Sequence, residues 1–250
     1  MSISKTLTIV KDDPFETLRL CGGYYETPER DGQLFGPLVG YAGKYDAPDG
    51  TKKQWVGKVY YNFAKAEERP AILRYFAEGV AAQLYRAGIP IHTLLGAPMG
   101  GIRLAGTLGD IMGLRVIFAE KQVTRLATET QREESKLVLG RYEIEADERV
   151  VIVEDVCNNF STTEELTRLV ENSGGCVEAV ACAFNRSDKR AIPCRDGKGH
   201  MYVVSFAHRL TDQYKQEEPW VANAIQTVGL AKKPKDEWAR LEEAVAHFRQ

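Results

Sequence analysis

The 250-residue chain has no apolar run near the ~20 residues that a membrane-spanning helix needs. It has almost no net charge. Its 33 Lys and Arg against 35 Asp and Glu leave −2, so there is no polycationic composition to support bulk nucleic-acid binding. Cysteine is sparse and odd in number: Cys21, Cys157, Cys176, Cys182 and Cys194, with no C-x-x-C pair. That argues against a disulfide framework or a structural zinc site and for a reducing cytoplasm. His200 and His208 have no partner at metal-ligand spacing and read as structural. The opening MSISKTLTIVKDDPF lacks the apolar core of a secretory signal, so the glycosylation sequons at Asn159 and Asn185 carry no weight. No repeat or low-complexity block is present. At 44% hydrophobic and 27% charged, the composition is that of one soluble α/β domain with additions.

What the chain does have is concentrated in residues 149–165. Val150, Val151, Ile152 and Val153 form a β-branched run bounded by charges, which predicts a strand buried on both faces. Glu154 and Asp155 follow at once. After them comes a polar loop of Cys157, Asn158, Asn159, Phe160, Ser161, Thr162 and Thr163, and then a helical pattern over 164–170. Ser161-x-x-Glu164 and Thr162-x-x-Glu165 both fit a capping box. Backbone N–H groups at a helix start have no internal partner and bind anions, and the hydroxyls add donors. The two carboxylates suit hydrogen bonds from a vicinal diol, or indirect support of a cation. Phosphate at one end and diol at the other describe a ribose 5-phosphate site. On these residues alone, a strand–turn–helix with solvated acids fits equally well.

Around that stretch the pattern is βαβ. Pro70 opens a helix over 70–86, a strand is predicted over 89–96, a helix over 102–112 and a strand over 114–119. Between the first strand and the second helix lies Ala97-Pro98-Met99-Gly100-Gly101, whose paired glycines allow close backbone approach to a pyrophosphate. Residues 120–145 are strongly charged and read as a long hairpin or flap. A further strand over 176–184 delivers Asn185-Arg186-Ser187 to its carboxyl end, where ligands gather in open α/β sheets. Residues 1–56 are rich in Gly, Tyr and turn formers and read as a β-rich hood or extension; a strand is expected over 57–63. Residues 191–250 add a strand over 201–206 and helices over 220–228 and 236–248, with Trp238, Leu241, Val245 and Phe248 on one face for packing or dimer contact. The expectation is an α/β fold: an open, mainly parallel sheet flanked by helices in a core over 57–190, with both terminal additions.

These motifs resemble the type I phosphoribosyltransferase family, and within it the orotate enzymes. Val150 to Cys157 match the phosphoribosyl pyrophosphate (PRPP) motif position by position, with Asn158-Asn159-Phe160-Ser161-Thr162 where the family usually has Thr-Thr-Gly-Gly-Ser. GAPMGGIRLAG resembles the pyrophosphate loop, with Gly100 where some relatives place lysine. Lys121 matches the lysine ending the next strand; Glu120 replaces a basic residue, the flap histidine is absent, and Arg125, Arg132 and Lys136 are the remaining cations. Arg186 matches an arginine that holds the base's carboxylate, and Asn185 stands in place of an acid. The resemblance implies a pentosyltransferase of nucleotide metabolism that moves ribose 5-phosphate from PRPP to a base, orotate first in mind. Glu154 and Asp155 would orient the ribose, Lys121 would join the chemistry, and residues 158–163 would hold the phosphate. Pro98, Met99, Gly100 and Gly101 would hold pyrophosphate, and Arg186 the base. It also implies Mg²⁺ carried by PRPP with no direct protein ligand, and a cytoplasmic homodimer that binds neither nucleic acid nor membrane. The departures leave as the alternative a non-catalytic PRPP- or nucleotide-binding regulator of the same fold, or a different base.

Overall fold

The computed structural model describes residues 9–125, 134–194 and 199–249, which fall into two compact units. One comprises Ala66–Arg209 with the described residues ahead of Phe15; the other comprises Phe15–Lys65 and Leu210–Gln250. The breaks fall at 66 and 209, and the two terminal segments share one unit.

In chain order, the terminal unit starts with α1 (Pro14–Leu20), β1 (Tyr24–Glu26), β2 (Glu29–Arg30), β3 (Gln33–Leu34), β4 (Leu38–Asp46), β5 (Lys52–Gly57) and β6 (Val59–Tyr61), followed by the short α2 (Ala64–Glu67). The central unit continues with α3 (Pro70–Ala87), β7 (Thr93–Gly96), α4 (Gly100–Met112), β8 (Arg115–Phe118), β9 (Glu120–Arg125) and β10 (Glu134–Val138). After these come β11 (Arg149–Cys157), α5 (Ser161–Asn172), β12 (Cys176–Asn185), β13 (Ala191–Pro193) and β14 (His200–His208). The chain then returns to the terminal unit with α6 (Pro219–Thr227), β15 (Leu230–Ala231) and α7 (Trp238–Phe248).

The central sheet has six strands in the order β13-β14-β12-β11-β7-β8. All neighbours run parallel except β13, which closes one edge antiparallel to β14. β11 lies inside the sheet because its side chains suit nothing else: Val150, Val151, Ile152 and Val153 are all fully buried. Alternation along the strand sends Val150 and Ile152 to the face where Leu166 and Val170 of α5 pack. Each such side chain contributes about 1.5–3 kcal/mol by leaving water. α3 buries Ile72, Leu73, Phe76, Val80 and Leu84, which recur at helical spacing. Pro70 starts it, and Gly88 ends it in the left-handed region with its N–H donating to the Tyr85 carbonyl.

Two strands are shorter than the sequence suggested. β7 starts at Thr93, since Pro90 has no N–H to donate to a ladder. The 57–63 strand is broken between Gly57 and Val59. α1 was not foreseen; seven residues are too few to show a period, though Phe15 and Leu18 are buried. In the terminal unit β15, β4 and β5 form a three-stranded sheet. Trp238 and Leu241 of α7 pack there with Tyr25, Val39 and Tyr41, so the C-terminal apolar stripe is core. Among the described residues no helix is long and apolar enough to cross a membrane.

Candidate active site

Two predicted motifs meet at the carboxyl edge of the sheet. The Ala97 amide donates to the Val153 carbonyl at 2.9 Å, which ties the loop after β7 to β11. α4 starts at Gly100, two residues earlier than expected, with Met99 at its N-cap and 80% exposed; the Pro98–Met99 peptide is cis. Gly101 faces the β11 backbone so closely that an added Cβ would lie 2.0 Å from the Val153 carbonyl oxygen and 3.1 Å from Glu154 Cα. At Gly100 an added Cβ would lie 2.3 Å from Cγ and Oδ2 of Asp155. The paired glycines therefore seat the start of α4 against the two acids, and the Asp155 carboxylate occupies the space of a side chain at 100. Glu154 and Asp155 are both half-buried, and Asp155 Oδ1 accepts the Val156 N–H at 2.9 Å.

The loop of residues 158–163 has a form that its composition did not announce. Phe160 is the N-cap of α5 with φ 60° and ψ 12°, the left-handed conformation that glycine adopts most readily. Its ring is 3% exposed and packs with Cys157, Val180, Cys182, Ile192 and Met201. The phenyl group thus belongs to the core beneath the loop. Asn159 Oδ1 accepts from the Ser161 amide (3.4 Å) and hydroxyl (3.2 Å) and supports the turn. Asn158 and Thr162 are half-buried, Asn159 and Ser161 exposed, and Thr163 buried. Neither capping box forms. Phe160 has no oxygen to cap with, and Glu165 Oε1 instead accepts the Leu137 amide at 2.7 Å, tying α5 to β10.

Arg186 joins the same edge from β12. Its amide donates to the Cys157 carbonyl at 3.0 Å, beside the start of the loop, and its side chain is 3% exposed. The following turn is closed by Asn185, whose Oδ1 accepts from the Ser187 amide (3.0 Å) and hydroxyl (2.8 Å) while its Nδ2 donates to the Lys189 carbonyl at 2.8 Å. Sequence reading missed this network, for which Asn-x-Ser was the one local signal. His208, paired with Asn185 across β14 and β12, makes a 2.8 Å bond through Nε2 to the Ser187 carbonyl, which fits its structural reading.

The charged flap is an antiparallel hairpin of β9 and β10. Lys121 is exposed there, in register with Leu137. Lys136 is exposed, and Arg132 lies outside the described residues. The Cys157 thiol is pushed well above its usual range by a hydrogen bond with Cys182, by burial, and by the nearby Glu154 and Asp155 charges. It stays protonated and is no nucleophile. Among the described residues no three His, Cys, Asp or Glu are grouped to hold a metal ion. Paired carboxylates such as Glu154 and Asp155 nevertheless fit Mg²⁺, which keeps several waters and shares its binding with substrate phosphates.

A sheet edge of this kind defines a family. The model for the phosphoribosyl transferase domain matches residues 69–198, just over half of the chain, and the chain belongs to that family. It is 31% identical over 129 residues to an orotate phosphoribosyltransferase of Carboxydothermus hydrogenoformans, covering 51% of this chain and 62% of that one. With the orotate phosphoribosyltransferase of Chlorobium phaeobacteroides it shares 26% identity over 151 residues, or 59% of this chain and 72% of the relative. The chain thus spans about three fifths of the first relative's length. A solved orotate phosphoribosyltransferase from Aeropyrum pernix aligns with a TM-score of 0.47 and 14% identity, covering 75% of this chain and 90% of that one.

Proposed function

We propose that this chain transfers ribose 5-phosphate from PRPP to a nitrogenous base and releases pyrophosphate, with orotate as the base. One observation carries the reading: the Gly100-Gly101 loop and the Arg186 turn both close on the end of β11 that bears Glu154 and Asp155. The carboxylates accept hydrogen bonds from the ribose 2′- and 3′-hydroxyls and fix the sugar. The amides at the start of α5 and the hydroxyls of Ser161, Thr162 and Thr163 take the 5′-phosphate. Loop 98–101 receives the pyrophosphate through its backbone, aided by the N-terminal dipole of α4. Glu154 and Asp155 would hold Mg²⁺ through its waters; the ion supplies charge neutralisation on the pyrophosphate. Lys121 adds a cation when the hairpin closes, and closure excludes the water that would otherwise hydrolyse PRPP. Arg186 offers a carboxylate two parallel N–H bonds. That chemistry, together with relatives named for orotate, favours orotate over a purine. A cytoplasmic homodimer belongs to the same proposal.

Calorimetry with PRPP and Mg²⁺, followed by a product assay across bases, tests it. Asp155→Asn should weaken PRPP about 10- to 100-fold, the worth of a charged hydrogen bond; unchanged affinity refutes the assignment. Binding without turnover on any base would mark a PRPP-binding regulator instead.

A further inference from the structure

We propose that Glu165 is a positioning residue for Lys121: it fixes the foot of the charged hairpin to the helix whose start takes the 5′-phosphate. The inference rests on the transferase reading above. Glu165 lies near the start of α5 and is half-buried. Its Oε1 accepts the Leu137 amide of β10 at 2.7 Å. Leu137 is the residue of β10 in register with Lys121, and Val138 beside it is in register with Glu120. The tie therefore falls at the foot of the hairpin, level with the lysine itself. Leu137 is held through its side chain as well, 5% exposed in a core cluster with Leu166 and Val170 of α5.

The hairpin forms a two-stranded sheet of its own, so β10 pairs with β9 alone. A two-stranded ribbon is marginal unless it packs on something else. An antiparallel ladder also turns every second amide of a strand away from its partner. The Leu137 amide is such an outward group, and a carboxylate receives it in a charge-assisted bond, stronger than a neutral one. Burial of the leucine holds β10 against α5; the hydrogen bond sets where along the helix it sits. On the transferase reading, the first amides of that helix take the 5′-phosphate, and Lys121 supplies a cation to the chemistry. Glu165 thus puts phosphate site and cation in one frame, and it acts through Lys121 rather than on the substrate. The bond needs only an acceptor: glutamine keeps an oxygen at the same reach, and alanine keeps none.

The test compares wild type, Glu165→Ala, Glu165→Gln, Lys121→Ala and the double variant Glu165→Ala/Lys121→Ala. It reads turnover of PRPP and Mg²⁺ across a panel of bases headed by orotate and, separately, binding of ribose 5-phosphate. Glu165→Ala should lower kcat about 10- to 100-fold, the cost of displacing a reacting group by about 1 Å. Glu165→Gln should stay within about threefold of wild type. The double variant should be no slower than Lys121→Ala, because with the lysine gone there is nothing left to position. Ribose 5-phosphate affinity should hold within about threefold throughout, since that ligand meets α5 and not the hairpin. Wild-type turnover in Glu165→Ala overturns the inference, and so do losses that multiply in the double variant. Ribose 5-phosphate binding that falls as far as turnover in Glu165→Ala also overturns it, as damage to the helix. Wild-type turnover in Lys121→Ala removes the lysine and this inference while leaving the transferase reading in place. A wild-type protein that turns over no base overturns both.

Discussion

Single methyl groups added at 100 and at 101 should have opposite consequences. In Gly101→Ala the new carbon would sit 2.0 Å from the Val153 carbonyl oxygen, where a relaxed C···O contact is about 3.3 Å. The shortfall of roughly 1.3 Å cannot be relieved by a side chain, because the obstacle is backbone. That carbonyl already accepts the Ala97 amide, and Val153 is paired with Gly96 on one side and Ala181 on the other. Helix α4 must move off the sheet, at about 3 kcal/mol, the upper end of overpacking costs. For a chain of this size that lowers the melting temperature by roughly 6–12 °C. In Gly100→Ala the obstacle is the Asp155 carboxyl, 2.3 Å away, which can rotate and give up its 2.9 Å bond from the Val156 amide. The stability cost is then about 1 kcal/mol, or roughly 2–4 °C. PRPP affinity, however, should fall as far as in Asp155→Asn, because the same carboxylate has been turned away. Thermal melting by circular dichroism paired with PRPP calorimetry separates the two. The reasoning fails if Gly101→Ala melts within a degree or two of wild type, or if Gly100→Ala keeps full PRPP affinity.

Two further outcomes concern stability. Phe160→Gly removes the left-handed backbone cost of about 1 kcal/mol but loses a ring that is 3% exposed, worth about 3–5 kcal/mol in a core. The net should be a loss of roughly 2–4 kcal/mol in urea unfolding, and a variant as stable as wild type would show that the ring contributes little. Glu148 is buried, which opposes its charge, yet hydrogen bonds from the Thr93 hydroxyl and the Glu145 amide and the Arg115 guanidinium (2.7 Å) outweigh that and lower its pKa. A lowered folded pKa gives stability that is complete above the ordinary carboxylate range and is lost as pH falls through the folded value. Stability of Glu148→Gln measured from pH 5 to pH 3 should therefore fall less steeply than wild type, and parallel curves would rule the network out as an acid-sensitive element.

The central sheet was legible in the sequence because its signals are local. Four β-branched residues in a row at 150–153 have one comfortable home, and the stripe from Ile72 to Leu84 has one period. The convergence of Gly100 with Asp155 was legible only as two separate motifs, since their contact is made across two strands. What stayed hidden depended on partners distant in sequence. Glu165 fitted a cap by spacing, but a β10 amide 28 residues away holds it. Phe160 gave no local sign of its place; its ring packs in a core cluster that includes Met201, and the left-handed backbone is held by that burial. Short elements such as α1 and β15 carry too few residues to show any pattern of their own.

The pairing of β15 with β4 has a consequence for biosynthesis. Leu38 and Val39 wait for Leu230 and Ala231, on the order of two hundred residues behind them. At ribosomal rates that interval lasts roughly ten to forty seconds. Through it, the nascent hairpin shows a bare ladder, the kind of surface that other chains join. The strands of the central sheet all emerge in between, before β4 can meet its last neighbour.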